Sequence, residues 1–202
     1  MAYIASSDVK AWGGVPDTDA VDDAELTLII ARAQAFVDEY TGRVFETDTD
    51  ALSTRYYTTE DVEGRVLWLD KDLNTVGTDG ITAGTDALAS TDYTTMPRNE
   101  SPYYGIKLTG NTPEIWTNTT SDGDYEDAIQ VHGQWAYSSD APADIQHAML
   151  RLTKYYYNQG RLTDETANRP IVLESGATVL PGTVPNDIVK ILDRYLYRPV
   201  RS

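Results

Sequence analysis

Cysteine is missing from all 202 residues, which excludes disulfides and thiolate metal sites and leaves stability to packing or assembly. Bases are scarce: 16 Lys and Arg stand against 32 Asp and Glu, a formal charge of −16. Affinity for nucleic acid rests on clustered cations that release counterions, so this balance argues against a nucleic-acid binder. The two histidines, His132 and His147, supply too few ligands at motif spacing for a zinc centre. No apolar run approaches the roughly 18 residues of a membrane span. Ser6, Ser7 and Asp8 also interrupt the place where a secretory apolar core would lie. The expectation is a soluble protein, cytoplasmic where it is made, with no cofactor and no membrane partner.

What is present is an ordinary apolar fraction of 41%, enough for one sizeable core or for two small modules. The charge is unevenly placed. Residues 1–64 hold fourteen acids against four bases, whereas residues 190–202 hold Lys190, Arg194, Arg198 and Arg201 against Asp193. Either the acids are solvated faces that keep the chain soluble, or the molecule is polar and its two ends meet different partners.

Periodicity supplies the helices. A short one is predicted over 7–13, stopped by Gly13-Gly14. Over 24–40, Leu26, Ile29, Ile30, Ala33, Val37 and Tyr40 form one stripe at helical spacing, with Asp22 or Asp23 as cap and "TGR" as stop. From 142, Ile145, Ala148, Met149, Leu152 and Tyr156 form another stripe. A last helix from about 185 carries Ile188, Ile191, Leu192 and Tyr195. Between residues 52 and 137 the texture is of short strands, "RYYT", "RVLWLD", "DYTTMP", "YYGIKL" and "AIQVHGQWAY", punctuated by turn residues. The expected class is α+β: a helical bundle formed by the N- and C-terminal segments, with a mostly antiparallel β-rich insert. Its parts are 1–51, 52–137 and 138–202, the last containing a linker at 161–184 with a hairpin around Ser175-Gly176, and a C-terminal tail.

No catalytic constellation emerges. In the strand 128–137, Ile129, Val131 and Trp135 share one face and His132 the other, while His147 falls on the polar row of its helix with Arg151 and Lys154. "SDGDYED" and "ETDTD" lack the sixth-position glycine and distal glutamate of a calcium loop. No nucleophile elbow, phosphate loop or dinucleotide fingerprint is present, so no enzyme is expected. Trp68 and Trp135 read as core residues and Trp116 is open, which keeps a carbohydrate- or other ligand-binding β module as the alternative function.

The order of features carries a resemblance. "DVKAWGGVPDTDAVDDAELTLIIARAQAFVDEYTGRVFE", then "RVLWLDKDLNTV" and "DYTTMPRNESPYYGIKL", then "IQVHGQWAYSSDAPADIQHAMLRLTKYYY" together resemble the head-to-tail connector (adaptor) proteins of long-tailed bacteriophages, over roughly residues 6–160. The β segment is larger than in the purely helical members, and 161–184 matches no pattern of the family.

The resemblance implies a non-enzymatic virion protein at the head–tail interface, present in the host cytoplasm during assembly. It implies a self-associating ring, usually of twelve copies, under the portal protein, with a downstream neck or tail-completion protein attached below. It also implies that the C-terminal helix and tail enter the portal, here Ile188, Leu192, Tyr195, Tyr197, Arg198 and Arg201; the alternative is an ordinary last helix with a frayed end. DNA would pass through such a ring without specific binding, and Asp17, Asp19, Asp22, Asp23, Asp48 and Asp50 are the candidates for an acidic channel wall.

Overall fold

The computed structural model describes residues 2–12, 20–47, 52–110, 112, 115–116, 127–161, 171–172, 178–179 and 184–197. The chain divides into two units, one formed by Arg43–Ala141 with the C-terminal residues from Tyr197, the other by Ala2–Gly42 with Pro142–Leu196.

The first unit is built from two four-stranded sheets. Strands β1 (Ser53–Tyr57), β4 (Thr75–Ala83), β5 (Asp86–Leu88) and β8 (Ile129–Gln134) form one, in the order β1-β8-β4-β5. Strands β2 (Val62–Glu63), β3 (Val66–Leu73), β6 (Tyr93–Met96) and β7 (Tyr103–Leu108) form the other, in the order β2-β3-β7-β6. Every pairing is antiparallel. Each sheet turns alternate apolar residues inward, as a period of two requires. Leu67, Leu69, Ile106 and Leu108 from one sheet meet Tyr57, Ile81, Ala83, Ile129 and Val131 from the other in a single buried cluster that also takes in Trp116.

Two glycines are fixed by this geometry. The β4–β5 hairpin turns at Gly84, whose φ of 65° is a conformation that side chains resist. Gly133, the glycine of "V-x-G-x-W", lies flush against β4: a Cβ there would sit 2.5 Å from both the Thr75 carbonyl oxygen and Leu73 Cδ1.

The second unit contains α1 (Ser6–Trp12), α2 (Ala20–Thr41), α3 (Ala143–Arg161), a hairpin of β9 (Ile171–Val172) with β10 (Thr178–Val179), and α4 (Asn186–Leu192). The α2 stripe Leu26, Ile30, Ala33 and Val37 is buried, as are Ile145, Ala148, Met149, Leu152 and Tyr157 of α3 and Ile188 and Leu192 of α4. The helix α2 starts at Ala20, so Asp22 and Asp23 belong to its first turn instead of capping it. The Pro142 carbonyl accepts from Gln146, and the Pro185 carbonyl from Ile188 and Val189, so each proline sits where no helical N–H is needed. Surface pairs join the elements: Lys10 with Asp23 (2.6 Å), Arg194 with Asp144 (3.0 Å), and Arg151 with Asp187. No described helix is long and apolar enough to cross a membrane.

The expected class is therefore corrected. The architecture rests on two antiparallel sheets with a shared core, and the terminal segments do not make a helical bundle around an insert. Among the described helices only α2 and α3 are long; α1 and α4 have seven residues each, two turns apiece. The cause is that a 3.6-residue stripe fits a two-turn helix as well as a bundle-length one. Pattern also reads five short strands without revealing which edges they share.

Two stability outcomes follow from burial. Leu152→Ala is expected to lower the unfolding free energy by about 2–5 kcal/mol in urea melts, whereas Leu28→Gln, at an exposed position, should stay within about 0.5 kcal/mol. Gly133→Ala should cost about 1–3 kcal/mol, because the neighbour it meets is backbone that must shift.

Candidate functional site

The residues implicated in portal contact separate into three groups. Ile188 and Leu192 are fully buried in the helical unit. Tyr195 and Tyr197 are half-buried. Arg198 and Arg201 lie outside the described residues. Of the acids proposed for a channel wall, Asp23 is exposed on α2 and paired with Lys10, and Asp22 lies in the first turn of the same helix. Asp17, Asp19, Asp48 and Asp50 lie outside the described residues, as do "SDGDYED" up to Glu126 and the last three residues of "ETDTD".

The sheet unit gathers instead a cluster that sequence reasoning missed. Arg43 follows the glycine stop of α2 and was read only as part of that stop. Its guanidinium holds Asp72 through two contacts of 2.7 Å, and it lies over the rings of Tyr137 (5.2 Å) and Tyr197 (5.3 Å). The Tyr197 hydroxyl donates to the Leu69 carbonyl at 3.2 Å, across 128 positions of sequence. Alongside, Arg55 pairs with Asp70 (2.6 Å) and covers the indole of Trp135 (5.1 Å), and the Tyr57 hydroxyl donates to the same Asp70 (2.7 Å). Arg43, Val44, Arg55, Lys71, Asp72, Trp135 and Ala136 enclose a cleft of about 70 Å³. Three of the chain's 16 cations thus meet at one place. That scarcity was the signal available: a base in an acidic stretch is more informative than one more acid.

Burial dominates the electrostatics of the cluster. It pushes the Asp72 carboxyl above the usual carboxylate range, and Arg43 pulls back only part of that. It raises the Tyr197 phenol too, with Asp72 and Asp70 adding to the effect.

Neither histidine is a member of this cluster. In the sheet unit, His132 Nδ1 is 3.0 Å from Thr54 Oγ1, its cross-strand partner, and Nε2 is 3.5 Å from Asp79. His147 is exposed in the helical unit, edge-on to Trp12. Among the described residues no group of three His, Asp or Glu could hold a metal ion. The tryptophans considered for sugar stacking serve the fold. Trp116 is buried and donates to the Arg65 carbonyl (3.0 Å), Trp135 donates to the Ser53 carbonyl (2.9 Å), and Trp68, half-buried, stacks on Tyr104.

Tyr57 gives a titration that reads this cluster. Burial first, and the bond to Asp70 second, push its phenol far above its ordinary value. Its contribution to stability should be complete below about pH 10, where an unfolded tyrosine ionises. It is lost as pH rises from there towards the folded value. A phenolate absorbance titration should show Tyr57 ionising only with unfolding, and Asp70→Asn should bring that ionisation down in pH.

No family model matches this sequence, and no curated protein matches it. Solved structures do. The chain is similar to one from the neck of an empty GTA particle computed with C6 symmetry, with a TM-score of 0.55 and 14% identity over 97% of this chain and 89% of that one. It is also similar to a chain from the virion of a native gene transfer agent (GTA) particle, with a TM-score of 0.56 and 15% identity over 94% of this chain and 85% of that one. Nearly the whole chain, both units included, thus has the fold of a protein built into such particles.

Proposed function

We propose that this chain is a structural, non-enzymatic subunit of the neck of a phage-like particle, an adaptor that forms a ring beneath the portal protein and lines the DNA path. The observation that carries this reading is the fold shared with a GTA neck chain across 97% of the sequence. A likeness of that extent involves the sheet unit and the helical unit together, so it is not the reuse of one common module. Rings of six or of twelve copies both fit about a six-fold axis, and twelve is the number the adaptor family implies. Its place is the virion, after assembly in the host cytoplasm.

The partners in this reading are the portal on one side, a downstream neck or tail-completion protein on the other, and further copies of the chain. DNA passes without being held. A wall with net charge −16 per copy repels phosphate and leaves the duplex free to slide. Within the C-terminal segment, Ile188 and Leu192 support α4 from inside, because a fully buried side chain cannot reach a partner. Portal contact then falls to Tyr195, Arg198 and Arg201, with Tyr197 fixing where the tail departs. Arginine and tyrosine are residue types that carry binding energy at such anchors.

Light scattering after size exclusion tests the reading, on the chain alone and mixed with its cognate portal. The expected result is a closed ring or a stoichiometric portal complex, weakened at least tenfold when Arg198 and Arg201 are both replaced by alanine. A monomer that ignores the portal overturns it.

A further inference from the structure

The helix α2 is apolar on two opposite faces. Its buried stripe is Leu26, Ile30, Ala33 and Val37. At 100° per residue, Ala24, Leu28, Ala31 and Ala35 fall about 180° away from that stripe, and all four are exposed, Leu28 keeping 73% of its surface. A helix that lies on the surface of its protein turns a polar face outward, and one that is apolar all round is covered all round. The rim of this outer face is acidic. Glu25 and Glu39 are exposed beside it, while Arg32 is drawn 4.3 Å over the ring of Tyr156.

The same unit exposes a second apolar group, with a lysine beside it. Trp12, at the end of α1, is 43% exposed. Its ring meets His147 edge-on at 5.9 Å, and Lys154 Nζ lies 5.4 Å from its centroid. His147 and Lys154 therefore border the indole, while Arg151 between them on the same row of α3 is held by Asp187.

We infer that these surfaces are the two sides of one contact between copies: the outer face of α2 packs on the Trp12–His147–Lys154 surface of a second copy of this chain. The inference rests on the ring reading proposed above and names its interface. A contact made by two different surfaces is heterologous and repeats from copy to copy until the rotation closes. Charge favours the pairing, since Glu25 and Glu39 come to face Lys154 beside the indole. The self-paired alternative is disfavoured by the same charges: antiparallel packing of two α2 helices about Arg32 sets Glu25 against Glu39 and Arg32 against Arg32.

The absence of cysteine makes the test direct. Ala35→Cys and Ala11→Cys, both at exposed positions, are made as separate single-thiol chains, mixed, assembled with or without portal, checked for mass by light scattering and then mildly oxidised. Covalent dimers from the mixture at several times the yield of either variant alone are expected. Lys154→Glu should abolish assembly, and adding Glu25→Lys with Glu39→Lys should restore it, with the helical circular dichroism of the free chain unchanged throughout. Three results overturn the inference. Dimers from Ala35→Cys alone at the mixture's yield mean that α2 faces pack on each other. Assembled rings without cross-links leave the ring reading standing and remove this interface. A chain that assembles neither alone nor with portal removes both.

Discussion

The strand β8 is the constraint on which the sheet unit depends. It is paired on both edges, to β1 on one side and β4 on the other, and it contributes Ile129 and Val131 to the core. A strand in that position can be neither shifted nor thickened. A slip of one residue would turn both apolar side chains out of the core, and Gly133 has no room for even one carbon. The neighbouring Gln134 is buried yet satisfied, accepting from the Asn74 side chain at 2.9 Å, so the end of the strand is pinned by polar as well as apolar contacts. The other residues of "V-x-G-x-W" follow from this: valine for the core, glycine for the approach, and an indole whose N–H reaches the Ser53 carbonyl of β1.

How much of this was legible depends on the range of the interaction. The helices α2 and α3 were readable because their evidence is local, one stripe within twenty residues, and their boundaries fall within a few positions of the expected ones. Individual strands were readable for the same reason. The sheets were not, because partners such as Val76 and Gly133, or Leu67 and Ile106, lie tens of residues apart, and alternation states which face is apolar without stating which edge it meets. The functional residues show the same division. The tail was noticed for its arginines, a feature of composition. The Arg43 cluster joins residues 43, 72, 137 and 197, and only the folded chain brings those together.

The charge acquires structure once the contacts are known. In the Arg43 cluster each arginine is matched to a carboxylate and to an aromatic face, and Arg43 neutralises Asp72, which burial would otherwise destabilise. Most of the other described acids, such as Glu25, Glu39, Glu63 and Asp86, are exposed. Isolated exposed pairs contribute little, on the order of 0–1 kcal/mol, so Lys10 with Asp23 or Arg194 with Asp144 orients elements more than it stabilises them. Bases here act as connectors and acids as surface, a division of labour that a −16 total conceals.

The return of the chain at Tyr197 has a mechanical consequence. Residues 142–196 belong to the helical unit, and at Tyr197 the chain rejoins the sheet unit, where its ring meets Arg43 and its hydroxyl bonds to Leu69. A pull applied beyond Tyr197 would therefore reach its contacts with Arg43 and Leu69 before it reaches α4, so the load path of the chain's end runs first through the sheet unit.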